Sequence, residues 1–212
     1  MASSQSAAVI PLGSEGYSLA GRVLAMAFHD DPLWAAVVAD PVKRPGALAA
    51  MFTGLTKATS AARGVAETTP GIEAVALWLP PGKDIGLRSM VTSGFALPRS
   101  VMRLPAQDRK RMMVVLRQIG EHRKALMPEP HWYLSAIGVD PERQGSGLGS
   151  ALVQFGIRRA DHGETPIYLE TETEGNVGFY QHLGFEVAKE ISVARLDLPM
   201  WLMIRRPSEP SV

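Results

Sequence analysis

Apolar positions along the chain recur with two periods, and the switches between them mark its elements. A short apolar run near residues 7–10 predicts a strand. Spacing of three and four then predicts helices over residues 18–28 and 45–62. Strands follow near residues 63–68 and 73–79, a hairpin that Pro80-Pro81-Gly82 ends. Residues 85–95 contain glycine and are compatible with helix. Over residues 107–126, Met112, Val115, Leu116 and Ile119 sit beside Lys and Arg, which predicts an amphipathic helix. The remainder alternates: strand 132–139, helix 147–161, strand 166–171, helix 176–183, and strands 185–193 and 200–205. In the first of these helices Leu148, Ala151, Leu152 and Phe155 share a face, and Gly163 is a plausible stop.

Strands and helices mixed in this way predict a three-layer α/β sandwich, and no repeat or linker separates a second domain from a single one over residues 1–212. At 212 residues and 46% hydrophobic composition, the chain has material for a sizeable core. A net charge of +1, with no long basic run beside short groups such as Arg158-Arg159 and Arg205-Arg206, argues against a nucleic-acid partner. The absence of cysteine removes disulfides, thiolate metal sites and a cysteine acyl-enzyme. Five scattered histidines without His-Glu-x-x-His spacing argue against a metal site. Residues 1–6 lack the basic and apolar parts of a signal peptide, and no apolar stretch reaches membrane-spanning length. These features predict a cytoplasmic protein with no membrane partner, as a monomer or homodimer.

The densest chemical signal follows strand 132–139. Gln144-Gly145-Ser146-Gly147-Leu148-Gly149-Ser150 is a glycine-rich turn leading into a helix, where backbone can approach a ligand and free N–H groups meet an anion. A P-loop is excluded because no Gly-Lys-Ser/Thr ending is present. A dinucleotide fingerprint fits poorly because Ser150 occupies the third-glycine position. A structural tight turn and a coenzyme A pyrophosphate loop remain.

The turn matches the Gln/Arg-x-x-Gly-x-Gly/Ala signature of the GCN5-related N-acetyltransferases (GNAT), and a second block repeats that family's later pattern. There, the strand with Glu170 precedes Asn176-Val177-Gly178-Phe179-Tyr180-Gln181-His182-Leu183-Gly184-Phe185. The stretch from Pro130 to Leu134, and the C-terminal run Pro199 to Pro207, resemble the branch that contains puromycin N-acetyltransferase. The first ~130 residues resemble it in pattern only. The resemblance implies a GNAT-type three-layer α/β sandwich whose mixed, mostly antiparallel sheet splays between its two central strands. It also implies acetyl-CoA as cosubstrate, with no metal.

By the same resemblance, Ile137, Gly138 and Val139 offer main-chain hydrogen bonds to the pantetheine arm. The amides of Gln144, Gly145, Ser146, Gly147, Leu148, Gly149 and Ser150 hold the pyrophosphate, and Asn176 reaches the pantetheine; Asn176 is equally a good helix N-cap. Tyr180 is implied as the acid for the departing thiolate, its alternative being a core tyrosine packed with Phe179 and Phe185. Glu170 is the best carboxylate for a base, and a structural strand carboxylate is the competing account. Glu172 and Glu174 read as exposed loop charges. Asp30, Asp31, Trp34 and Trp78 are candidates for an acceptor pocket, with a turn boundary and a core aromatic as the alternatives.

A lysine-like amine is neutral about one part in a thousand at pH 7.4, whereas an α-amine is roughly a third neutral, so the need for a base depends on the acceptor. The leading expectation is direct acetyl transfer, in a ternary complex, to a primary amine of a small molecule, an antibiotic or other xenobiotic being one such acceptor. A protein lysine or N-terminal acetyltransferase and a non-catalytic acyl-CoA sensor are the alternatives.

Overall fold

The structure, a computed structural model, describes residues 8–207. Its elements run β1 (Ile10–Pro11), a 3₁₀ turn Ser14–Gly16, α1 (Tyr17–Ala27), α2 (Pro32–Val37), α3 (Arg44–Ala61), β2 (Val65–Thr68) and β3 (Ala74–Leu79). Then come α4 (Leu87–Thr92), α5 (Ala96–Met102), α6 (Ala106–Leu126), β4 (Trp132–Val139), α7 (Leu148–His162), β5 (Ile167–Thr171), α8 (Glu174–His182), β6 (Glu186–Val193) and β7 (Leu198–Arg205). The predicted first strand is shorter and later than residues 7–10, and Ala7 lies outside the described residues, as does the stretch 1–6.

The strands form one seven-stranded sheet in the order β1-β2-β3-β4-β5-β7-β6, antiparallel except where β4 meets β5. This is the mixed α/β layering expected. One face carries the core of α1, α2, α3 and α6, with Leu24, Leu48, Phe52, Met112 and Val115 nearly solvent-free. The other carries α7 and α8, through Leu152, Val153, Tyr180 and Phe185. Apolar faces of the helices on both sides of the sheet supply the burial that drives the fold.

Two short helices are not visible in the sequence as periodic segments. Helix α2 has six residues, too few for an apolar stripe, and is made by its cap: the Asp31 carboxylate accepts from the N–H groups of Leu33 (3.0 Å) and Trp34 (3.2 Å), and Pro32 takes the first turn. Buried Arg44 holds the flanks of α2 by donating to the carbonyls of Val38 (2.8 Å) and His29 (2.9 Å). Helix α5 packs on α3. Two residues assigned to apolar faces are half-exposed: Leu116, which lies off the Met112/Val115 stripe of α6, and Phe155, whose ring is covered instead by the Arg158 guanidinium.

Candidate active site

The two central strands share only the pairs Trp132↔Ile167 and Tyr133↔Tyr168, although β4 has eight residues and β5 has five. Beyond Tyr133 they part, and a gap opens in the middle of the sheet. On its other side β4 stays paired with β3, with an extra residue, Ser135, accommodated between the partners of Leu77 and Trp78. The Asp140 N–H donates to the Glu73 carbonyl at 2.8 Å. Because an antiparallel ladder alternates, the main-chain groups of Gly138 are turned to Val75 as well, and those of Ile137 and Val139 face the gap. Gly138 was expected to bond a ligand beside them. What it offers instead is room for α1, since a Cβ there would lie 2.8 Å from Ala27 Cβ and 3.1 Å from Leu24 Cδ2.

At the mouth of the gap stands the glycine turn. Gly145 and Gly147 have φ of 76° and 83°, a region in which a side chain is strained, and Gly147 is the residue from which α7 starts. The amides of Leu148, Gly149 and Ser150 form the first helical turn, where no earlier carbonyl of the helix is available to them. Gly149 sits against Val139, the Cβ position being 3.4 Å from Val139 Cγ2. Gln144 Nε2 donates to the Val139 carbonyl at 3.3 Å, and the Ser146 hydroxyl to the Arg143 carbonyl, so the turn is fastened to the end of β4. The helix ends at Gly163 as the sequence predicts.

Glu170 and Tyr168 alternate onto the α6 side of β5, opposite Tyr133 of β4, and Glu172 follows just past the strand. Burial pushes the Glu170 carboxyl up to about 7, against the Tyr133 and Tyr168 hydroxyls and the charge of Arg123, all of which favour ionisation. Even so, Glu170 Oε1 and the Tyr168 hydroxyl are buried without a partner at hydrogen-bonding geometry. Glu172 corrects the expectation of an exposed charge. It is half-buried, and burial followed by the negative charges of Asp31 and Glu170 raises it to about 8. Asp31 is itself raised by burial, despite its two capping hydrogen bonds. Three carboxyls in one desolvated region oppose one another's ionisation, and the charge of Arg123 offsets this at Glu170. Glu174 is exposed, as expected.

Across the gap, Tyr180 is 6% exposed, with its ring edge-on to Phe179 (5.0 Å) and Phe185 (5.6 Å). Burial, and after it the charge of Glu172, raises its phenol well above the ordinary tyrosine value. Asn176 is exposed in the first turn of α8 and is not the cap: Thr173 caps that helix, accepting from the Asn176 N–H at 3.4 Å. Trp78 belongs to the core and not to a pocket, fully buried with its ring where a Cβ on Gly156 would come within 2.2 Å. Trp34 is half-buried against Phe28 and Phe52, and Asp30 is exposed.

Residues 113–185, from mid-α6 past the end of α8, match the family model described as "Acetyltransferase (GNAT) family". Over that third of the chain the sequence is similar to the GNAT acetyltransferases. Full-length likenesses agree. An uncharacterised N-acetyltransferase of Schizosaccharomyces pombe is 28% identical over 207 residues, which cover 93% of this chain and 83% of the relative. The solved structure of a Corynebacterium glutamicum protein described as histone acetyltransferase HPA2 and related acetyltransferase is 25% identical, with TM-score 0.70, covering 97% and 99% of the two chains. A shorter stretch of 54 residues is 46% identical to a mycothiol acetyltransferase of Kocuria rhizophila, 24% of this chain and 18% of that one.

GNAT enzymes use acetyl-CoA as cosubstrate, and the residues around the gap suit it. An amide cluster at a helix N-terminus is complementary to a diphosphate, and the free edge of β4 to an amide-bearing arm. Among the described residues no group of three or more His, Asp or Glu side chains is arranged to hold a metal ion, and no helix is long and apolar enough to cross a membrane.

Proposed function

We propose that the enzyme, acting as one domain over residues 1–212, transfers acetyl from acetyl-CoA to the primary amine of a small cationic molecule by direct attack in a ternary complex. Acetyl-CoA supplies a thioester carbonyl open to an amine nucleophile. The amides from Gln144 to Ser150 hold its diphosphate, Ile137 and Val139 bond the pantetheine through their main chains, and Asn176 reaches it from α8. Glu170 draws the ammonium acceptor in and takes its proton, and Asp31 and Glu172 add negative charge around it. The gap-facing N–H groups of β4 stabilise charge on the carbonyl oxygen. Tyr180, whose raised phenol holds its proton across the working pH range, protonates the departing sulfur.

The observation that carries the small-molecule reading is a tie across the acceptor side. Gln118 of α6 donates from Nε2 to the Ser192 carbonyl (2.8 Å), and its Oε1 accepts from the Ala194 N–H (2.8 Å). With α2 also packed on α6, this crossing favours a bounded pocket over a groove that a polypeptide threads. The resemblance to the puromycin N-acetyltransferase branch supports the same reading. The test is acetyl-CoA consumption, read as thiol release, over diamines, arylamines, α-amines, hydrazides and lysine peptides. Small cationic amines are expected to give the highest kcat/KM. A lysine peptide that exceeds every small amine by more than about tenfold, ~1.4 kcal/mol in transition-state binding, replaces this reading with protein acetylation.

A further inference from the structure

Arg123, near the end of α6, and Asp84, in the loop after β3, form an ion pair. The Arg123 guanidinium lies 4.3 Å from the centroid of the Tyr133 ring. Its side chain is 14% exposed while that of Asp84 is 61% exposed, so Asp84 faces solvent and Arg123 lies beneath it, against the Tyr133 ring and near Glu170. A stacked guanidinium is fixed in plane as well as charge, and it does not deprotonate in the range where enzymes work. The groups around Glu170 and its neighbour Glu172 come from five elements. Tyr133 belongs to β4, Tyr168 to β5 and Arg123 to α6, while Glu172 lies just past β5, where it faces Asp31 of the α2 cap and Tyr180 of α8. The His131 ring stands 5.9 Å from Tyr168. Arg123 is the permanent cation of this set.

We propose that Arg123 is a positioning residue for the base: stacked on Tyr133 and anchored by Asp84, it sets the proton affinity of Glu170 and with it the pH at which the enzyme begins to work. Asp84 acts on Glu170 in the opposite sense, because it draws off part of the charge that Arg123 would otherwise direct inward. The same ion pair fastens the end of α6 to the loop after β3. The second half of the proposal rests on Glu170 being the base.

The test is a carbon-13 NMR titration of the Glu170 carboxyl in the ligand-free protein, assigned with Glu170→Gln, beside the pH profile of kcat/KM on the best amine of the panel. Arg123→Met is expected to raise the Glu170 midpoint by on the order of one pH unit. Asp84→Asn is expected to lower it, and Arg123→Lys, which keeps the charge without the planar stack, to fall between Arg123→Met and the unmodified protein. The acid limb of the rate follows each shift. Asp84 is exposed, so its variant retains the fold and supplies the opposite sign should Arg123→Met fail to fold. A midpoint unmoved in Arg123→Met, or raised in Asp84→Asn, overturns the proposal. Midpoints that shift as expected while the rate limb stays in place overturn Glu170 as the base and leave the hold of Arg123 on that carboxyl standing.

Discussion

Gly138 and Ala27 meet where β4 passes beneath α1, at a separation that leaves no space for even a methyl group on the strand. The same helix contributes Leu24 to the contact, so the strand that borders the gap is seated by main chain against helix. Gly138→Ala is expected to destabilise by ~1–3 kcal/mol through overpacking, and to raise the KM for acetyl-CoA because β4 must shift. At ~2–4 °C per kcal/mol for a chain of this size, calorimetry checks the first part. An unchanged melting temperature would mean that α1 yields freely.

The glycine turn is best tested without touching its glycines, since any side chain at Gly147 adds backbone strain to whatever it does to a ligand. Ser150 stands in the first turn of α7, where an acidic residue suits the helix dipole and repels a diphosphate. Ser150→Glu should leave the melting temperature unchanged or slightly higher and weaken acetyl-CoA binding at least tenfold, about 1.4 kcal/mol. Isothermal titration of the folded variant decides it, and full affinity would place the diphosphate elsewhere.

Tyr180→Phe keeps both aromatic contacts and deletes only the hydroxyl. Turnover should fall roughly 10²-fold with the acetyl-CoA dissociation constant unaltered. Because the phenol is raised, ionisation of Tyr180 does not produce an alkaline fall in rate near pH 10. A near-normal kcat in the variant across pH 6–9 would leave Tyr180 a packing residue.

Glu170 carries opposite signs for activity and stability. Its carboxyl ordinarily titrates at 4.5 and does so at about 7 in the fold, so between those values the native chain holds a proton that the unfolded chain has lost. Its contribution to stability is therefore complete below 4.5 and disappears as pH rises through 7, while kcat/KM rises over the upper part of the same interval as the base ionises. Glu170→Gln should lose activity and melt a few degrees higher than the unmodified protein at pH 8, roughly 2–4 °C for a gain on the order of 1 kcal/mol. The difference should vanish near pH 4. Melting curves at several pH values check it, and a variant less stable at pH 8 contradicts the origin given for the shift.

The order of strands and long helices is legible in the sequence because each carries one apolar period over enough residues to be recognised. Helix α2 lacks that length, yet Asp31-Pro32 is a readable start signal whose Asx cap outweighed the apparent turn. Glu172 was misjudged because its burial is tertiary: α2 brings Asp31 to the end of β5, and no local pattern announces that meeting. The alternation Tyr168, Glu170, Glu172 was a usable clue that all three share a side. Trp78 is hidden by Gly156 of α7, a contact across 78 positions of chain that spacing cannot reveal.

The short meeting of β4 and β5 also has a cost for solubility. An ordinary seven-stranded sheet exposes two lateral strand edges, whereas this one adds the unpaired sides of β4 and β5 within the sheet, four in all. Natural sheets guard their outer edges with charge, proline or brevity, and β1, two residues ending in Pro11, is guarded in that way. The inner edges cannot be treated so without spoiling the place where a ligand must lie. On the proposed placement of acetyl-CoA in the gap, the cosubstrate covers backbone groups that could otherwise pair with a strand of a neighbouring molecule.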